Sequence, residues 1–198
     1  MKKIALLTIF TCIISLTTYS QGFKLGLKGG LNLSTIGGDA TNVESRTGFH
    51  VGAYAGAKLS KFGVEGEILF SRQGTQGDGL ATFEIDNDYL LIPILGKFYI
   101  VKGLNIYAGP QFGILLKSEF TDPTFGIKDQ DIKDFTNSFD VSILVGAGFE
   151  IKKFRAGLRY NIGLSDLNDD PASVFYNSGE ELSNQVFQIF VGIDLIGK

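Results

Sequence analysis

Ionisable side chains of both signs recur at even spacing along this chain: Lys24 and Lys28, Glu65 and Glu67, Arg155 and Arg159, with Asp194 further on. Residues two or four apart share one face of an extended strand, so the members of each pair point the same way. Cations and carboxylates on facing walls of a closed sheet either pair and seal its interior or line a narrow conducting path. Leaving them unpaired away from water is costly. The expectation is therefore a structural polar plug in which Glu65 and Glu67 face Arg155 and Arg159.

Other chemistry has little to build on. His50 is the single histidine, and a hydrolase would need a nucleophile and an orienting acid around it. No such partner is identifiable, so His50 reads as a lumen residue satisfied by its neighbours. Without further imidazoles there is no transition-metal set. Two acidic runs, Asp129, Asp131 and Asp134, then Asp166, Asp169 and Asp170, lack the ordered spacing, turn glycine and terminal acid of a calcium loop. They read as solvated loops. Asp78-Gly79 and Gly37-Gly38-Asp39 read as turn chemistry. No catalytic residue, cofactor or metal site is expected.

The elements that must position these charges are strands. Eight segments, 22–34, 48–59, 62–72, 88–100, 104–117, 138–151, 154–166 and 184–196, alternate apolar with polar residues or glycine. Their length suits the roughly 9–11 residues of a tilted membrane-spanning strand. In the fifth, Leu104, Ile106, Ala108, Phe112, Ile114 and Leu116 oppose Asn105, Tyr107, Gly109, Gln111, Gly113 and Lys117. Connections alternate between short turns, at Ser60-Lys61, Val101-Lys102-Gly103 and Lys152-Lys153, and long polar stretches at 35–47, 73–87, 118–137 and 167–183. Short turns at one end and long loops at the other are the two ends of an eight-stranded antiparallel up-and-down transmembrane β-barrel. An even strand count leaves both termini on the periplasmic side.

Aromatic residues fall where interfacial girdles belong. Phe49, Phe70, Phe139 and Phe187 lie at the loop end, and Phe23, Phe98, Phe149 and Phe154 at the turn end. A soluble lipocalin-like barrel would show the same alternation with its apolar face inward. Glycine on the polar face, among them Gly26, Gly30, Gly109, Gly113, Gly146 and Gly157, argues for a narrow lumen, because an outer surface has little use for glycine in strand interiors.

Residues 1–20 carry Met1-Lys2-Lys3, an apolar run from Ile4 to Leu16 and small residues at Thr18 and Ser20, the pattern of a secretory signal peptide cut after Ser20. The barrel domain then occupies 21–198. Cys12, the one cysteine, lies in the leader without the small preceding residue that lipidation needs, so the mature chain holds no thiol and no disulfide. A net charge of −3 offers no footprint for nucleic acid.

The segments Tyr89-Leu90-Leu91-Ile92-Pro93-Ile94-Leu95-Gly96-Lys97-Phe98-Tyr99, Tyr107-Ala108-Gly109-Pro110-Gln111-Phe112-Gly113, Val145-Gly146-Ala147-Gly148-Phe149-Glu150 and Arg159-Tyr160-Asn161-Ile162-Gly163-Leu164 resemble the porin-family, PorT-like outer-membrane β-barrels of the Bacteroidetes type. The resemblance implies an outer-membrane location, and one branch of that family is linked to protein secretion and gliding. The expected function is non-enzymatic: a structural or loop-mediated binding role toward outer-membrane lipid and an extracellular or envelope partner, exercised as a monomer. Alternatives are a narrow passive channel, a component of a protein-secretion apparatus, and a lipid-modifying barrel enzyme.

Overall fold

A computed structural model describes residues 22–38, 43–77, 83–124, 126–133, 138–164 and 182–197. The expected leader, Cys12, Asp134, Asp166, Asp169, Asp170 and most of the stretch 167–183 lie outside the described residues.

The period-two alternation is realised as nine strands: β1 (Phe23–Gly38), β2 (Val43–Leu59), β3 (Phe62–Gly77), β4 (Phe83–Tyr99), β5 (Leu104–Asp122), β6 (Ile127–Asp131), β7 (Phe139–Ile151), β8 (Phe154–Gly163) and β9 (Leu182–Ile196). All pairings are antiparallel. The order β4-β3-β2-β1-β9-β8-β7-β5 closes through β4 and β5 into an eight-stranded barrel, and short β6 pairs with β5 beside the ring. The closing seam joins β1 to β9, from Leu25 opposite Ile196 to Gly38 opposite Leu182.

Facing settles which solvent each side was built for. Ile106 and Val145 are 48% and 40% exposed on the outer surface, whereas Gln111 is 1% exposed inside. The outer band, including Leu31, Val64, Ile68, Leu158 and Val191, is far more apolar than a water-facing surface tolerates, and lipid removes the penalty. The lipocalin arrangement is thereby excluded, since its apolar face would point inward. The turns Ser60 and Lys152 hold φ at 56° and 54°, and Gly103 holds 88°, the left-handed backbone that a two- to four-residue reversal between strands requires.

Three expectations need correction. The stretches 35–47 and 73–87 are not mainly loops: β1 runs on to Gly38, β2 starts at Val43, β3 reaches Gly77 and β4 starts at Phe83. Within 118–137, β5 continues to Asp122 and is met by β6. Backbone pairing continues past the lipid band because it needs hydrogen bonds, not apolar side chains. Lys117 is not on the lumen face. The β4–β5 register shifts between Asp88 and Tyr89, which turns the Lys117 side chain out, 53% exposed and 2.7 Å from Glu119. The lumen is also less polar than expected: Leu69, Tyr89, Leu91 and Leu115 form one buried apolar cluster, and Leu95, Tyr107, Leu144 and Phe190 another.

Candidate functional site

The lumen charges come from inward positions of β1, β3, β4, β7, β8 and β9, and they assemble in two layers. Toward the short turns, Glu65 accepts from Lys97 at 2.8 Å and from Arg155 at 2.6 Å. Arg155 also reaches Asp194 at 2.6 Å, while Lys24 binds Glu150 at 2.8 Å and Asp194 at 3.2 Å. Lys97 completes the ring to Glu150 at 3.2 Å. Three cations thus meet three carboxylates, a neutral set. The Tyr54 hydroxyl donates to Asp194 at 2.5 Å, with the Arg155 guanidinium stacked 3.7 Å from the Tyr54 ring centre. Gly26 makes this possible: a methyl group there would overlap the Tyr54 hydroxyl. Lys58 is held 3.6 Å over the ring of Tyr99.

The second layer lies nearer the middle. Glu67 receives Lys28 at 2.6 Å and Arg159 at 2.7 Å, and all three side chains are at most 2% exposed. Two cations share this carboxylate, and Lys28 also lies 4.0 Å from the Phe190 ring centre, where the ring face offsets part of the surplus positive charge. Arg159 continues to Gln188 at 2.5 Å, Gln188 donates to Asn32 at 2.8 Å, and Asn32 donates to Ser71 at 3.0 Å. Such short, charge-assisted bonds are worth more than neutral ones, and in a wall with little water they fix the side chains in place.

His50 joins this chain. Its Nδ1 lies 2.7 Å from Asn32 Oδ1, an oxygen that only accepts, so the proton is on Nδ1. Nε2 is buried with no hydrogen-bond partner. His50 is therefore a neutral imidazole satisfied on one side, and no acid or nucleophile is bonded to it. The side chains of Asp129 and Asp131 lie outside the described residues, and among the described residues no group of histidine, cysteine or acidic side chains is arranged to hold a metal ion.

Of the charged residues singled out from sequence, Lys24, Lys28, Glu65, Glu67, Arg155, Arg159 and Asp194 all enter these two layers. Lys97, Glu150, Tyr54, Asn32 and Gln188 belong with them. Lys97, Glu150 and Asn32 fall on the polar face that the alternation defines, whereas Tyr54 and Gln188 were passed over; they share the parity of His50 and Asp194, which is the signal that would have found them. The aromatic positions distribute as two rings. Phe49 and Phe70 stand 5.9 Å apart at the loop end, and Phe98 is 5.3 Å from Phe62, an aromatic that the reading by position passed over. Phe139, Phe149, Phe154 and Phe187 are exposed outward, while Phe23 is partly covered.

Beyond the apolar band, β2, β3 and β4 carry a second kind of ion pairing. Arg72 holds Asp88 with two bonds of 2.7 and 2.8 Å. Arg46 reaches Glu84 and Asp86, each at 2.9 Å. Partial burial pushes the Asp86 carboxyl above its usual range against the pull of Arg46.

An eight-stranded antiparallel ring with an apolar exterior and an ion-paired interior defines a small transmembrane β-barrel. Residues 19–169 match the family described as outer membrane protein beta-barrel domain, and the chain belongs to that family. No curated protein matches it. Among solved structures it is similar to Ail, the attachment invasion locus protein of Yersinia pestis, with 17% identity, a TM-score of 0.54 and coverage of 88% of this chain and 99% of that one. Ail in complex with the heparin analogue sucrose octasulfate gives 16% identity, a TM-score of 0.52 and the same coverage. The Neisserial surface protein A gives 12%, 0.53, and 86% of this chain against 97% of that one. These likenesses establish the fold, that of small outer-membrane barrels.

Proposed function

We propose that the chain is a non-enzymatic outer-membrane barrel with a sealed interior, whose work is done by the strand hairpins standing beyond the lipid band. The observation that carries this reading is the second lumen layer, where Lys28, Glu67 and Arg159 bridge the interior with almost no exposed surface. Eight strands enclose a space that side chains fill, and admitting a solute means breaking the two buried ion pairs on Glu67, which is strongly unfavourable. Polar hairpins on a rigid scaffold are a usual means of presenting a binding surface. The mature chain begins near Gln21, acts as a monomer and keeps both termini in the periplasm. Placement with the PorT-like branch rests on the quoted strand motifs alone.

Planar-bilayer recording of the purified protein tests this against the passive-channel reading. The sealed barrel gives no steady wide-pore conductance, and E67Q combined with R159Q raises the frequency of open events. A large, steady conductance of the unaltered protein would put the channel first.

A further inference from the structure

Each short turn of the barrel carries lysine. Lys61 lies in the turn from β2 to β3, Lys102 in that from β4 to β5, and Lys152 and Lys153 in that from β7 to β8. All four are exposed. Toward this end the carboxylates of the described residues are Glu65, Glu150 and Asp194, which are at most 8% exposed and already held by Lys24, Lys97 and Arg155. Among the described residues no salt bridge reaches any of the four turn lysines. At the loop end, by contrast, Arg46, Arg72 and Lys117 each have a carboxylate beside them.

The backbone fixes where these charges stand. The Lys61 carbonyl accepts from the Tyr99 N–H at 2.8 Å, the Gly103 carbonyl from the Glu150 N–H at 2.9 Å, and the Lys153 carbonyl from the Asp194 N–H at 2.7 Å. Each turn is thereby tied to the next strand round the ring. Outward apolar side chains flank every one of them: Leu59 and Phe62 beside Lys61, Ile100 and Val101 beside Lys102, Ile151 and Phe154 beside Lys152 and Lys153. The lysines therefore stand where hydrocarbon gives way to lipid headgroups, and their aliphatic stems can lie along the apolar band while the ammonium groups reach the phosphates.

Strand order spreads the cations round the barrel. The three turns occupy three quarters of the rim, and the β1 to β9 seam occupies the fourth. Charges on a perimeter beside the apolar wall suit many small anions around the barrel better than one macromolecule laid across its mouth. We propose that Lys61, Lys102, Lys152 and Lys153 form a rim that binds the headgroups of anionic glycerophospholipids in the leaflet at the turn end. Negatively charged lipid attracts lysine near its surface, and the attraction fades within a screening length. The rim depends on the barrel's place in a membrane and not on a sealed interior, so lipid preference and conductance succeed or fail independently.

The test reconstitutes the purified barrel in phosphatidylcholine vesicles holding a trace of spin-labelled phosphatidylglycerol or spin-labelled phosphatidylcholine. The motionally restricted fraction of each label gives their relative affinity for the protein wall. One lysine beside an anionic headgroup is worth about fivefold, and averaging over wall positions that touch no lysine brings the expected preference for phosphatidylglycerol to about threefold. It falls toward one in about 1 M sodium chloride, where the screening length is about 3 Å. K61Q/K102Q/K152Q/K153Q abolishes it, and the corresponding arginine variant keeps it. K61Q/K102Q, which leaves the left-handed turn at Lys152 untouched, removes about half of the excess. Heat-dependent gel mobility confirms that each variant is folded. Equal restriction of the two lipids by the unaltered barrel would overturn the proposal and leave the lysines to an acidic protein partner. Full preference in K61Q/K102Q and in any folded fourfold variant would overturn it as well, placing the anionic lipid elsewhere on the wall.

Discussion

The guanidinium of Arg159 on β8 and the carboxylate of Glu67 on β3 meet across the barrel at 2.7 Å, and neither side chain has any exposed surface. Removing one partner leaves the other buried and uncompensated, so R159A should destabilise the barrel by about 3–5 kcal/mol. Glu67 also holds Lys28, so E67Q, which strands two cations, should cost more than R159A or K28M. Reversible unfolding in detergent or lipid, arranged as an Arg159/Glu67 double-mutant cycle, measures the coupling. A coupling near zero would refute a plug held by charge.

The rim pairs should behave differently. Arg72 is 44% exposed where it grips Asp88, and pairs open to water contribute only about 0–1 kcal/mol. The R72A/D88A cycle should therefore show a small coupling that shrinks further as salt rises, while the Arg159/Glu67 coupling barely responds to salt.

Outward residues should answer to lipid and inward ones to space. V145R and I106R place a charge on the apolar exterior and should cost roughly 2–4 kcal/mol near the bilayer midplane. Q111R should be felt as crowding. With single cysteines, a membrane-soluble thiol reagent should label position 106 and spare position 111; the reverse pattern would invert the barrel.

Two glycines offer a contrast in packing. A methyl group at Gly109 would overlap the carbonyl oxygen of Ile94 and lie 2.9 Å from its carbon, whereas at Gly66 it would meet nothing within 4 Å. G109A should cost about 1–3 kcal/mol by forcing the backbone to shift. G66A should be neutral or gain up to about 1 kcal/mol from a better strand former. Unfolding midpoints of the two variants decide this directly.

What the sequence made legible follows the contrast between neighbouring residues. Where apolar and polar side chains alternate, as from Leu104 to Leu116, facing could be read from parity alone. In Tyr89-Leu90-Leu91-Ile92 both parities are apolar, the contrast vanishes, and the inward Leu91 was hidden. Beyond the lipid band, Arg72 to Gly77 holds only polar residues and glycine, and Glu84 to Asp88 has Ile85 as its single apolar residue, so the pairing that carries β3 and β4 outward left little mark. The displacement of Lys117 depends on one unmatched residue in β5 against β4, a property of two strands together. The link from Asn32 to Gln188 needed the closed ring, because it joins residues far apart in the chain. The position of the charges could be read, and so could the facing of Glu65 and Glu67 by Arg155 and Arg159; the polar partners Tyr54 and Gln188 could not.

The seam between β1 and β9 makes the fold a problem of timing. Most of the ring's pairings join strands that follow one another in the chain and can form as local hairpins, but the seam must bring together segments separated by nearly the whole sequence. Loop-closure entropy for so long a span has to be met before its contacts give anything back. Until β9 arrives, β1 and β8 are open edges able to pair with any strand nearby, and Arg155 and Arg159 wait without Asp194 and Gln188. The last strand therefore acts as a latch: it removes both edges and completes both buried polar layers in the same event.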